Sequence, residues 1–261
     1  MTTVVLPRRL RLPVAVPVAI GSAWLLALGA QVTGYGGSLH HDQLIEEGPP
    51  IWLALAMFLL AWQVMIAAMM VPTSLPLAQL FDAASRRQPR PGIVMAAFLG
   101  GYALVWSAFG LTAFVADVGV HQLADRSAFL GSHEALITGG TLAVAGAFQF
   151  TRLKKRCLTE CRHPVGFLAA HYQRGVGGAF RLGRKHGTFC VGCCAGLMLV
   201  MFAAGIANLL WMATLTVLMA YEKNGHAGSR LVSAVGCALL LWAAAVLVAP
   251  SWLPPLFAGE L

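Results

Sequence analysis

Thr188 to Met201 reads TFCVGCCAGLMLVM, and three of the six cysteines fall within five residues of it. A helix turns about 100° per residue, so Cys190, Cys193 and Cys194 share about a third of its circumference. Met198, Met201, Asn208 and Met212 extend the same stripe. Thiolates and thioethers in one ladder suit a soft cation such as copper(I), whereas hard ions prefer oxygen. Methionine and free cysteine also pack well as plain apolar side chains, which is the competing account of any such stripe. Three thiols so close together, with two more upstream, favour metal or redox chemistry over packing.

The upstream pair is Cys157 and Cys161 in TRLKKRCLTEC. Their offset of four places them on one helical face, and Cys190 with Cys194 repeats it. A four-thiolate site across two helices follows as a geometric possibility, open to copper(I), zinc or an iron–sulfur cluster. His171 and His186 lie between the pairs as possible supplements, each more ordinarily a surface histidine. Cys237 stands alone and reads as a core thiol. A second soft stripe, Met65 and Met69 with Pro72 and Pro76, occurs in AWQVMIAAMMVPTSLP. The two prolines each remove a backbone donor and predict a kink.

The elements that must position these residues are membrane helices. Of 261 residues, 58% are hydrophobic and 11% charged, and the mean hydropathy is +0.74. An apolar surface of that size does not fit inside one water-soluble core. Crossing a hydrocarbon layer takes about 20 apolar residues per helix. Six runs meet or approach that length, at about 13–32, 51–80, 92–115, 135–150, 188–221 and 231–248. The expectation is an all-α polytopic bundle, one membrane domain over 1–261, with a cytoplasmic cysteine-bearing interfacial segment over 151–187. The run 188–221 is long enough for two short spans and is read as one helix, bent near Gly205.

The net charge of +8 is topological and does not call for nucleic acid. Fifteen of the 18 basic residues precede the first run, sit between the second and third, or lie in 152–185. Arg126, Lys223 and Arg230 are assigned to the other side. The positive-inside rule then puts both termini and the cysteine loop in the cytoplasm of a bacterial cell, where thiols stay reduced. Val14 to Ala30 exceeds a secretory h-region, so an uncleaved first span is expected. Outside, His40, His41, Asp42, Glu46 and Glu47 form a polar loop that reads as a hydrophilic connection before it reads as a metal site. Asp117 to Glu134 reads as a solvated loop. Gly100, Gly101 and Gly110 permit close helix approach. The segment HPVGFLAAHYQRGVGGAFRLGRKHG suits an anionic lipid surface.

In order along the chain, WQVMIAAMMVPTSLP, LKKRCLTEC, HPVGF, RKHGTFCVGCCAGLM and NLLWMATLTVLMAYEK resemble a bacterial family of predicted metal-binding integral membrane proteins. The likeness covers about Trp62 to Lys223. It implies a multi-pass membrane protein with a soft-metal role, and some family members are labelled copper chaperones. Ala195 stands where many relatives carry an aromatic residue after the paired cysteines.

The leading functional expectation is therefore a soft-metal protein of the cytoplasmic membrane. Copper(I) would bind through Cys157, Cys161, Cys190, Cys193 and Cys194, with Met65, Met69, Met198 and Met201 as a thioether path. It would act on a metalloprotein client or a membrane complex, without a catalytic group. A second expectation is a thiol–disulfide oxidoreductase in which Cys190 and Cys193 exchange electrons with a quinone. A third is an assembly subunit holding a structural metal.

Overall fold

The computed structural model describes residues 14–33, 50–127, 134–204 and 208–249. Within them the chain is helical throughout. α1 is Ala15–Val32, α2 Ile51–Thr73, α3 Leu75–Ser85, α4 Pro91–Arg126 and α5 Glu134–Phe148. α6 is Arg152–Arg162, α7 Pro164–His171, α8 Val176–Ala204, α9 Leu209–Asn224 and α10 Gly228–Val248. Among the described residues, α1, α2, α10 and the Pro91–Val120 part of α4 are long and apolar enough to cross a membrane. The bundle is the expected all-α architecture. The His40–Glu47 loop lies outside the described residues.

Several boundaries differ from the sequence expectations for local reasons. Pro72 sits inside α2 and Pro76 in the first turn of α3, and the run 51–80 breaks between them at Ser74. Span three does not end near 115; α4 stays helical to Arg126, into the segment read as a loop. The fourth run does not continue unbroken toward Pro164. It stops at Phe148, and α6 restarts after Thr151, whose hydroxyl accepts the Lys154 amide at 3.2 Å as an N-cap. The helix that carries the second cysteine group begins before the run that predicted it, since α8 starts at Val176, twelve residues before Thr188. Cys237 is exposed on α10 instead of core.

The largest correction concerns the run 188–221. Asn208 takes an extended conformation and its Oδ1 accepts the amides of Leu210 and Trp211, starting a new helix. Lys223 Nζ then lies 3.1 Å from Cys190 Sγ. A straight helix would separate residues 33 apart by about 50 Å. The chain therefore folds back, and α8 and α9 are two antiparallel helices in place of one bent span.

The directions of the other helices follow from their contacts. Phe98 packs at Gly183 and Val105 at Gly187, so α4 and α8 run parallel. Phe150 packs at Gly236, Leu240 at Gly146 and Leu247 at Gly139, so α10 runs against α5. Gln88 bonds Tyr172 and Gly175 and Arg162 bonds Gly225, so the connections 86–90, 163–175 and 225–227 gather at one end of the bundle, and Val248 lies at the other. Lys223 and Arg230 belong to the same end as the basic loops, where the sequence reading had put them opposite. The end of α10 at Val248 lies away from that basic end.

The core has two parts. The larger unites Trp62, Met65, Met69, Trp106, Cys190, Cys193, Cys194, Met198, Met201 and Met219. A smaller one at the basic end packs Phe81, Val94, Phe98, Phe167 and Leu182 under α3 and α7. Gln88 fastens this cap by donating to Tyr172 Oη at 2.9 Å and accepting from the Gly175 amide at 2.6 Å.

Close packing of α4 on α8 depends on Gly101 and Gly183. A Cβ at Gly183 would meet the Phe98 carbonyl, and one at Gly101 the Phe180 carbonyl, with no side chain able to give way. Gly100 has open space around it. Gly183→Val should destabilise the detergent-solubilised protein by about 1–3 kcal/mol, while Gly100→Ala leaves it unchanged. Thermal unfolding of the two variants checks this, and equal melting temperatures would contradict the packing account.

Candidate soft-metal site

Five cysteines come from two helices. Cys157 and Cys161 lie one turn apart on α6, and Cys190, Cys193 and Cys194 lie at the middle of α8. Cys190, Cys193 and Cys194 are at most 1% exposed, Cys157 is 6% exposed, and Cys161 is half-buried. All are free thiols.

The sulfurs meet at Cys193. Its Sγ lies 3.8 Å from Cys161 Sγ, 3.4 Å from Cys194 Sγ and 3.2 Å from the Cys190 carbonyl. A metal with bonds of about 2.3 Å to sulfur in tetrahedral geometry separates its ligands by about 3.8 Å. The Cys161–Cys193 pair therefore has the right span to share one soft ion. Cys157 packs its sulfur against Gly192. Among the described residues no group of three or more His, Cys, Asp or Glu side chains encloses a metal position. The helices expected to juxtapose are thus juxtaposed, with Cys161 and Cys193 at the contact.

Cys190 is held differently. Its Sγ lies 3.0 Å from Tyr102 Oη and 3.1 Å from Lys223 Nζ, and that ammonium also donates to Thr73 Oγ1 at 2.7 Å. Lys223 is 3% exposed. A buried ammonium needs a counter-charge and full hydrogen bonding. The Cys190 sulfur, Thr73 and the neighbouring thiols supply that environment.

The next residue anchors the other side. Adjacent positions on a helix point about 100° apart, so Glu222 turns from α9 toward α6. Its Oε2 accepts from Lys154 Nζ at 2.7 Å, and both side chains are almost fully buried. Arg162 of α6 donates to the Glu222 and Gly225 carbonyls, capping acceptors left open where α9 ends. These bonds fix the cysteine face of α6 against α8 and α9. His186, one turn before Cys190, is buried between the rings of Tyr102, Phe98 and Phe167. Its Nε2 has no hydrogen-bond partner among the described residues. His171 bonds the Phe167 carbonyl through Nδ1 at 2.9 Å.

Met65, Met69, Met198 and Met201 are all at most 2% exposed and share the core cluster of the buried cysteines. Both soft stripes therefore converge on one interior. Lys223, Glu222, Lys154, Tyr102 and Thr73 were not singled out from the sequence. Glu222 and Lys223 end an otherwise apolar run, and ionisable groups so placed mark a site by default.

Breaking the Lys154–Glu222 pair should be costly because it strands one buried charge. Glu222→Gln should lower stability by about 3–5 kcal/mol, and the double variant Lys154→Met/Glu222→Leu should recover most of it. Chemical denaturation in micelles measures both; a single variant as stable as wild type would contradict the assignment. Burial also pushes the Cys157 thiol above its ordinary range. A raised value leaves less thiolate at neutral pH, and thiolate is the reactive form. Maleimide labelling of Cys157 should therefore lag behind Cys161 at pH 7 and accelerate as pH rises; equal rates would count against it.

A family model described as PpoB2, copper chaperone, matches residues 59–246. The match contains all nine sulfur ligands proposed from the sequence, together with Lys154, Glu222 and Lys223. Neither a curated protein nor a solved structure matches the chain.

Proposed function

Since the chain belongs to the PpoB2 copper chaperone family, we propose that it is a membrane copper chaperone that carries copper(I) on the sulfur cluster of α6 and α8. The observation that carries the reading is the meeting of Cys161, Cys193 and Cys194 at sulfur separations of 3.4–3.8 Å, beside a Cys190 sulfur paired with a buried ammonium. Thiolates bind copper(I) tightly. Lys223 offsets the negative charge that a copper–dithiolate centre brings into an apolar interior. Met198, Met201, Met65 and Met69 are neutral soft ligands deeper in the same interior. They would form a secondary site or path without needing a further counter-charge. Copper is cargo here, delivered to a metalloprotein client, and no residue is assigned a catalytic role.

The proposed setting is the cytoplasmic membrane of a bacterium. The basic end faces the cytoplasm, as the positive-inside rule requires, and α8, α9 and α10 cross separately. A reporter inserted after Gly225 should then read cytoplasmic and one placed after Val248 external. A cytoplasmic signal after Val248 would contradict separate crossings by α8 and α9.

Copper binding itself is tested on anaerobically purified protein by competition with a coloured copper(I) chelator. Cys193→Ser with Cys194→Ser should abolish tight binding at neutral pH. Met69→Leu with Met198→Leu, which nearly conserves volume, should retain it while lowering total stoichiometry or slowing transfer. Thiolate binding releases protons, so wild-type affinity should weaken as pH falls. Undiminished binding by the double cysteine variant would defeat the proposal. Wild-type protein that binds no copper but forms a quinone-responsive Cys190–Cys193 disulfide would replace it with the oxidoreductase reading.

A further inference from the structure

The cluster is graded in accessibility. Cys190, Cys193 and Cys194 are sealed, with at most 1% of their surface exposed, and Cys157 is buried against Gly192. Cys161 is the half-buried member, at the rim on α6, and its sulfur touches that of Cys193 at 3.8 Å. Cys193 in turn lies 3.4 Å from Cys194. The sulfurs form a chain from the surface inward, toward the Cys190 sulfur held by Lys223 and Tyr102.

We propose that Cys161 is the exchange ligand of this chain, the thiol at which copper(I) passes between an anionic thiolate complex outside and the buried sulfurs. The inference rests on the copper reading above and specifies its route. Ligand exchange at copper(I) needs an incoming sulfur that can reach the ion while the donor still holds it, and a sealed thiol cannot do that. Arg162, next in sequence, is fastened to the α9 carbonyls, which holds the Cys161 rim in place. Arg152, Lys155 and Arg156 are exposed on the same short helix, whose one acidic residue is Glu160. A copper(I) ion held by two thiolates carries a net charge of −1, so a basic face gathers such a complex at a rate that salt reduces.

The step balances without a change of oxidation state. A bond from Cys161 sulfur to copper(I) forms as one bond from a donor thiolate breaks. The departing donor sulfur keeps its electron pair and takes up the proton that Cys161 gives up. The next exchange repeats this with Cys193 as the incoming ligand.

The test uses the full chain in micelles, anaerobically, with copper(I)–glutathione as the probe. Loading is followed by the ultraviolet thiolate-to-copper absorption, and equilibrium affinity by chelator competition. Cys161→Ser should load on the order of tenfold more slowly, a size typical for losing one supporting group at a metal site, and should slow release as well, so that the loading rate falls further than the equilibrium affinity. In a Cys237→Ser background, brief N-ethylmaleimide treatment should modify Cys161 ahead of the sealed thiols and slow loading in the same way. Wild-type loading should slow as salt is added. Loading of Cys161→Ser at the wild-type rate would overturn the exchange role, and so would a fall in affinity matching the fall in rate, which would make Cys161 a permanent ligand. Loading that ignores salt would remove the anionic donor. Failure of the wild-type chain to bind copper would instead bring down the copper reading, and this inference with it.

Discussion

The ammonium of Lys223, at 3.1 Å from Cys190 Sγ and 2.7 Å from Thr73 Oγ1, is the contact on which the site's architecture depends. A charge removed from water in an apolar bundle is tolerated only when it is paired and hydrogen-bonded. Pairing it with sulfur puts the end of α9 against the middle of α8 and the end of α2. That single contact requires the reversal between α8 and α9, because no straight helix can return residue 223 to residue 190. Tyr102 adds α4 to the same point. Four helices thus converge where the thiols are.

Lys154 and Glu222 do the corresponding work one residue away. Were α6 free to swing, Cys161 and Cys193 would have no reason to stay in contact, since the 163–175 connection between α6 and α8 contains its own helix and the left-handed Gly175. The buried ion pair and the Arg162 bonds to the α9 end remove that freedom. Specificity of arrangement, more than net stability, is what a buried pair of this kind supplies here: an apolar replacement could hold α6 near α9 without fixing which face of α6 meets α8.

Much of the fold was legible because it follows from hydropathy and helical periodicity. The all-α bundle, the break near Pro72 and Pro76, the close approach at Gly101 and Gly110, and the meeting of the two cysteine helices were all readable. Gly100 was not separable from Gly101 by spacing, since only the neighbour's position decides which of two adjacent glycines faces it. The run 188–221 misled because its length fits one tilted span or two short ones, and a lone Asn208 N-cap is a weak signal within an apolar stretch. That error carried a second. With one span assumed, Lys223 fell on the outer side and looked like a loop residue, so the one basic group inside the cluster was passed over. The stop after Phe148 was likewise hidden, because it depends on the Thr151 cap and not on any glycine or proline.

The distribution of charge also bears on how far a thiolate-bound ion can travel inside this bundle. Beyond Cys190, Cys193 and Cys194 the buried soft atoms on α8 are the thioethers of Met198 and Met201, and those that α2 adds to the same core belong to Met65, Met69 and Met70. Lys223 is a single cation at the cluster, and Lys154 is already committed to Glu222. A second anionic centre farther along α8 would have no comparable partner among the described residues of that core. Neutral thioethers avoid the requirement, which is why a soft-metal interior can change from cysteine to methionine as it deepens. The same change weakens binding, because a thioether has no charge to offer copper(I). On the copper reading proposed above, tight retention would belong to the basic end of the bundle, next to Lys223, and brief occupancy to the methionine interior.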